Sequence, residues 1–369
     1  MKQLSDVFRK SLVATVAISL VMGVTVLICE FGFRALLFSH VAFMGRFQEP
    51  SLYADPLTDN DWWKLYHAFK KPTNDTAKHS HPLLGWGSDE KFSKETYLHA
   101  EAGQVGSRQP VLLYGDSFTH CLTASDDCFH GILNSDPEFS KGHYLLNYGV
   151  LGYGVDQIYL LLQNSLPNYH KPVVAVGIYT GDLNRSILSF FYGRKPYFGV
   201  DAGDLVLRGV PIDQDPRTLG SDNPPQIWSY LYRLWLYQDG RLWRLRHYLR
   251  GTDDKQTRKE RVNESLVLEM LREIESRNLP RTFIIFAGQD EIKRVSWSEQ
   301  FLADLFKRRG VPYISTRDLI MDDMQRTGYK TDAYFLAHDG HPNAYQNLLV
   351  AKELKRRLLL DGEALLRKE

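Results

Sequence analysis

Residues 110–119 read PVLLYGDSFT. The apolar run 111–114 is bounded by Pro110 and Gly115, the mark of a short buried strand. Gly115, Asp116 and Ser117 then make a tight turn that sets a serine hydroxyl at the carboxyl end of that strand. In open α/β sheets ligands bind beyond the carboxyl ends of the strands, so Ser117 is the first candidate nucleophile.

Downstream of this stretch, strand-like and helix-like segments alternate. Residues 118–133 read as partly helical, 144–148 as a second strand closed by Gly149, Gly152 and Gly154, and 155–166 as a helix with apolar residues at helical spacing. A third strand over 173–179 ends in Thr180, Gly181, Asp182, Leu183 and Asn184. After an interruption, strands over 282–286 and 311–315 flank a helix over 299–309. Asn343, followed three residues later by Gln346, announces the last helix with a capping-box pattern. This alternation predicts a parallel sheet covered on both faces, an α/β protein of three αβα layers.

The interruption, about 193–250, reads as an insertion. Residues 195–212 carry a β-hairpin signal around Asp201-Ala202-Gly203-Asp204. Residues 228–249, rich in Trp, Tyr, Leu and Arg, read as an amphipathic helix packed on its own domain, with a membrane-lying or partner-binding helix as the alternative. Charged residues 253–260 open a further helix running to about 277.

The amino terminus differs from everything else in the chain. Residues 11–29 carry no charge, about 19 residues or roughly 28 Å of helix, close to the hydrocarbon thickness of a bilayer. Lys2, Arg9 and Lys10 precede the run and point residues 1–10 toward the cytoplasm. No small-x-small cleavage site follows, which favours an uncleaved single-pass anchor over a signal peptide. All that follows Glu30 is then expected outside the cytoplasm, in a bacterial periplasm beyond the inner membrane. Cys121 and Cys128, in an oxidising compartment, form either a small-loop disulfide or two half-buried thiols; their spacing decides neither.

Composition narrows the function classes. With 45 basic and 44 acidic side chains the formal charge is +1, which provides no electrostatic footprint for nucleic acid. Residues 30–109 read as an accessory segment, with an aromatic-faced helix around Trp62, Trp63, Tyr66 and Phe69, a loop over 72–81 and an extended stretch over 82–87. His67, His79 and His81 show no metal-ligand spacing and read as surface-loop residues.

The chemistry gathers in residues 110–369. A serine needs a base, and histidine is the side chain suited to that task near neutral pH. His341 sits in His338-Asp339-Gly340-His341-Pro342, just before the last helix, where a doubly wound sheet returns it to the end that holds Ser117. Asp339 is placed to orient the ring as the acid of a triad. The Ser117 and Gly152 N–H groups, with an amide from the third strand end, are the candidate oxyanion donors. A metal reading of His338, Asp339 and His341 lacks the i, i+4 helical spacing of a zinc motif.

GDSFT, NYGVLGYG, TGDLN and DGHPN, at successive strand ends and before the last helix, resemble the blocks of the SGNH, or GDSL-type, hydrolase superfamily over about residues 110–359. The resemblance implies an SGNH-like fold and ester chemistry without metal or organic cofactor, with Ser117 as nucleophile, His341 as base and Gly152 as oxyanion donor. The family usually has its acid three residues before the histidine, where this chain has His338; related membrane-anchored members show the D-x-H spacing that selects Asp339. The family's third-block asparagine is replaced by Gly181, and Asn184 either substitutes for it or is a loop residue. The implied substrate is an acylated small molecule or glycan. Three functions follow: a periplasm-facing esterase acting on a surface or cell-wall glycan, an O-acetyltransferase of an exported polysaccharide, or a catalytically weakened polysaccharide-binding scaffold.

Overall fold

Strands buried on both faces need apolar side chains at successive positions, and the runs around Leu112, Leu146, Val174 and Ile284 supply them. The computed structural model describes residues 2–39, 41–69, 80–87, 90–213, 215, 222–238 and 254–366. In it, β1 (Gln109–Gly115), β2 (His143–Gly149), β3 (Val173–Tyr179), β4 (Arg281–Phe286) and β5 (Tyr313–Ser315) form one sheet. All its pairings are parallel, in the order β2-β1-β3-β4-β5.

The pleat sorts the side chains. Leu112, Tyr114, Leu146 and Val176 face a core shared with the helices Val155–Ser165, Asp254–Glu275 and Trp297–Arg309. Val111, Leu113, Leu145 and Ile284 face the other core, closed by Phe129 and Leu133 and by Val350, Leu354 and Leu358 of the helix Ala344–Leu366. Each such fully buried aliphatic contributes about 1.5–3 kcal/mol of transfer free energy. The three-layer expectation is met.

The strand order reverses between β1 and β3: from β1 the chain moves to one edge, and from β2 it crosses back to the other side. That is the switch point at which the loops after two adjacent strands part and leave a crevice. Ser117 lies after β1, and Asp182 opens the short helix Asp182–Arg185 after β3.

The structure sharpens some local expectations and corrects others. The helix after β1 is a single turn, Ser117–His120, ended by Cys121 at φ +72°; a second helix, Phe129–Ser135, follows. Cys121 and Cys128 are disulfide-bonded. His81 is buried, not a surface-loop residue, because its Nδ1 accepts the N–H groups of Leu83 and Leu84, both at 3.1 Å, and holds a turn. His67 is buried as well, whereas His79 lies outside the described residues. Asn343 Oδ1 accepts the Gln346 N–H at 3.1 Å, but the Gln346 side chain does not close the capping box.

The chain divides into two compact units, 1–73 with 217–251, and 74–216 with 252–369. The hairpin Tyr197–Asp201 and Asp204–Arg208 belongs to the unit with the sheet. Residues 80–109, expected in the accessory segment, belong there too.

In the other unit, the helix Lys2–Leu37 exposes the side chains of its apolar run, and Arg9–Leu37 is long and apolar enough to cross a membrane. Its last turns belong to a packed cluster of Leu37, Met44, Tyr53, Leu65, Ile227 and Tyr230. Glu30 accepts from Ser229 Oγ and Tyr230 N, both at 2.8 Å, and from Leu231 N at 3.1 Å, so a carboxylate from far upstream caps the helix Tyr230–Gln238. This is the start of the amphipathic helix expected over 228–249; residues 239–249 lie outside the described residues.

Candidate active site

The one-turn helix that carries Ser117 lies directly on the strand ends. A Cβ on Gly177 would stand 2.3 Å from Thr119 Oγ1, and one on Gly149 2.3 Å from His120 N, so only glycine lets the turn approach β3 and β2 this closely. Asp116 caps the turn, its Oδ1 accepting the Phe118 N–H at 2.9 Å.

Ser117 Oγ is 3.2 Å from Asp116 Oδ2 and 2.9 Å from His341 Nε2. The loop bearing His341 is held by the His341 carbonyl, which accepts the Leu336 N–H at 2.8 Å, and by a β-bridge between Phe335 and Pro342. The ring of His341 lies 5.0 Å from that of Phe118, which stacks on Tyr179 at 4.2 Å. Asp339 Oδ1 accepts the His341 backbone N–H at 3.0 Å and lies 3.3 Å from Nδ1. That second contact lacks hydrogen-bond alignment, so Nδ1 has no hydrogen-bonded partner among the described residues. Catalytic hydrogen bonds are often loose before substrate arrives. His338, in the position where an acid was expected by resemblance, is exposed.

Among the candidate oxyanion donors, neither the Ser117 nor the Gly152 N–H donates to a described residue. Gly152 adopts φ +75°, and a Cβ there would meet the Tyr192 ring at 2.4 Å. Asn184 is not brought to the site: its Oδ1 accepts from Lys259 Nζ at 2.8 Å. The next residue, Arg185, goes to the site instead. Its Nη1 donates to Asp182 Oδ1 at 2.8 Å, to Asp116 Oδ2 at 3.1 Å and to the Tyr153 carbonyl at 3.3 Å, tying together the loops after β3, β1 and β2.

Sequence reasoning missed this cluster, although the spacing held a signal: in a helical turn, position 185 lies over position 181. Burial first, and then the neighbouring Asp116, push the Asp182 carboxyl well above the usual range. Burial works against the charge of Arg185, but Asp182 and Asp116 outweigh it and hold the guanidinium protonated.

A cleft of about 630 Å³ opens beside His341, lined by Phe118, Tyr179, Arg185, Gln289, Asp290 and His338 among others. Its rim loop is braced by Glu291 Oε2, which accepts from Thr180 Oγ1 at 2.5 Å and from Gly288 N at 2.7 Å. Chemically, the arrangement places a hydroxyl against an imidazole that borders an accessible cleft, with free N–H donors and a fixed cation nearby. Those are the parts needed for attack on a carbonyl carbon.

Fold and site together define a class: a parallel α/β sheet with a serine–histidine pair at its switch point. No family model matches the sequence, and no curated protein does. In structure the chain is similar to a member of the lipolytic G-D-S-L family from Veillonella parvula, at 11% identity over 67% of this chain and 97% of that one, with a TM-score of 0.37. It is also similar to an acetylxylan esterase from Geobacillus stearothermophilus, at 13% identity over 68% and 94% of the two chains, with a TM-score of 0.39. A two-domain esterase active on acetylated mannans is similar at 11% identity over 70% of this chain and 50% of that one, with a TM-score of 0.39.

Proposed function

We propose that the protein is a serine-dependent acyl-ester hydrolase, anchored in a bacterial inner membrane, that removes acyl groups, acetyl foremost, from a surface or cell-wall glycan in the periplasm. The observation that carries the chemistry is the 2.9 Å contact between Ser117 Oγ and His341 Nε2, from residues 224 apart in the chain. His341 takes the serine proton as Oγ bonds to the acyl carbon, and the carbonyl electron pair moves onto its oxygen. Collapse of this intermediate expels the alcohol, which His341 protonates; water then repeats the sequence on the acyl-enzyme. Asp339, 3.3 Å from Nδ1, is the carboxylate placed to steady the ring once that contact aligns. A pure scaffold would have no use for the serine–histidine contact.

For the substrate, the support is the cleft. Gln289, Asp290 and His338 present hydrogen-bonding groups that suit a short acyl group on a polar carrier better than a long apolar chain. For location, the support is the continuity of the helix Lys2–Leu37: cleavage after the apolar run would cut it where Glu30 caps residues 229–231. Phe31, Phe43, Trp228 and Trp235 are all more than half exposed in this unit, and aromatic rings there suit the headgroup region where the apolar span ends. The Cys121–Cys128 disulfide suits an oxidising compartment.

The test is direct. The full-length protein in detergent should hydrolyse p-nitrophenyl acetate and be labelled at Ser117 by a fluorophosphonate, and Ser117→Ala should lose both. Undiminished turnover in Ser117→Ala sinks the assignment.

A further inference from the structure

We propose that Arg185 supplies the third oxyanion donor, through Nη2, in place of an amide side chain at the end of β3. The inference rests on Ser117 as nucleophile, and three independent features of the structure carry it.

The first is direction. Gly181 has helical torsions (φ −70°, ψ −21°) and leads into the turn Asp182–Arg185, so position 185 lies one turn beyond 181 on the same face. A side chain at 181 itself is excluded, because its Cβ would fall 2.4 Å from Cε1 of Tyr179, the ring that stacks on Phe118. A donor aimed at this corner therefore has to come from the next turn. Asn184 points elsewhere, to Lys259.

The second is preorganisation. Nη1 is committed to acceptors from all three loops at the switch point, and the guanidinium carbon lies 5.2 Å from the Phe191 ring centre and 5.6 Å from that of Tyr179. A planar guanidinium pinned at one nitrogen and packed against two rings has a fixed orientation. It stands one hydrogen bond from Asp116 Oδ2, which itself lies 3.2 Å from Ser117 Oγ.

The third is unused donor capacity. Arginine has five N–H donors, yet Nε has no partner among the described residues and Nη2 donates to none of them. Arg185 nevertheless lines the cleft together with His341. Held between Asp116 and Asp182, the guanidinium is fixed before the chemistry begins, and charge arriving on the carbonyl oxygen meets a donor that needs no reorganisation.

The step balances without a further reagent. The Ser117 Oγ–carbon bond forms, the C=O pair moves to oxygen, the proton goes to His341 Nε2, and the oxyanion accepts from the N–H groups of Ser117 and Gly152 and from Arg185 Nη2.

Arg185→Lys keeps the charge that Asp116 and Asp182 require but loses the planar fork. In full-length protein, kcat for p-nitrophenyl acetate should fall about 100- to 1,000-fold with KM within about threefold. Affinity for a boronic acid, whose tetrahedral adduct occupies the oxyanion site, should fall in parallel. Near-wild-type kcat and boronate affinity in a folded Arg185→Lys would overturn the proposal and reduce Arg185 to a counter-charge.

Should the lysine variant not fold, the charge-neutral pair Arg185→Gln with Asp182→Asn decides: the same loss supports the proposal, and recovered turnover overturns it. Absent fluorophosphonate labelling of Ser117 in folded wild-type protein overturns the hydrolase reading itself, and this proposal with it. Labelled wild type with an unaffected Arg185→Lys overturns only this one.

Discussion

Arg185 Nη1 lies 2.8 Å from Asp182 Oδ1, three residues apart on a single helical turn, and both side chains are almost wholly out of solvent. With Asp116 on the same nitrogen at 3.1 Å, one cation serves two buried acids. Removing it leaves two buried carboxyls without a counter-charge, and the remaining hydrogen bonds from Phe118 N, Ser117 Oγ and Tyr179 N do not repay their desolvation. Arg185→Met should therefore destabilise the protein by about 3–5 kcal/mol. Asp182→Asn in the same chain should return part of this, with a coupling energy of about 1–3 kcal/mol in a urea-unfolding double-mutant cycle. Strict additivity of the two changes would show that the contact carries no energetic coupling.

Gly152 offers a test of the second backbone donor. At φ +75°, with the Tyr192 ring 2.4 Å from where a Cβ would stand, alanine is strained both by torsion and by collision. Gly152→Ala should lower kcat by tenfold or more through displacement of the donor N–H, at a cost of only about 1–3 kcal/mol in stability. Adding Tyr192→Ala removes the collision but not the torsion, so activity should return in part. Full activity in Gly152→Ala alone would exclude this N–H from the chemistry.

His99 sets part of the acid limit of stability. Its Nε2 lies 3.2 Å from the Asn147 carbonyl and its Nδ1 accepts the Glu101 N–H at 3.1 Å, which specifies a neutral ring. Burial chiefly, with nearby Lys91 and His130, pulls its pKa from 6.5 down to about 4, against the opposing pull of the Asn147 carbonyl. The unfolded chain takes up this proton near pH 6.5 and the folded protein only near 4, so between those values the unfolded state binds more protons. Stability contributed by neutral His99 is present above pH 6.5 and is lost as the pH falls toward 4. His99→Gln, which cannot take up the proton, should flatten the acid slope of unfolding free energy by up to about 1.4 kcal/mol per pH unit. Parallel slopes for the two proteins between pH 7 and 4 would refute the assignment.

Trp228 and Trp235 report on the proposed anchor. They are 74% and 57% exposed, and each ring packs against Tyr232, at 5.3 and 6.3 Å. In vesicles containing the full chain, lipids brominated near the headgroup should quench tryptophan emission more than lipids brominated deep in the acyl chains. Replacing both residues by phenylalanine should remove most of that difference. Absence of shallow quenching in a chain whose mass shows an intact amino terminus would place these rings away from the bilayer; a shortened chain would instead refute the anchor.

Much of this protein is written locally. A parallel strand buried on both faces needs a continuous apolar run, so β1 to β4 are visible in their own residues, and the Gly-Asp-Ser and Asp-Gly-His turns announce themselves as polar residues between regular elements. The serine and the histidine could thus be singled out from sequence.

Other features depend on where distant segments meet. The strand order brings His341 to Ser117 across 224 residues. Cys121 and Cys128 pair because a one-turn helix ends at Cys121 and a second begins just after Cys128. Glu30 caps a helix about 200 residues away, a pairing that neither segment encodes alone. The choice of Arg185 over Asn184 turns on the backbone torsions of Gly181, since adjacent positions on a helix point about 100° apart. Residue type and spacing determine which elements form and which side chains carry chemistry. Only the packing of those elements, long-range and cooperative, decides which side chains face one another.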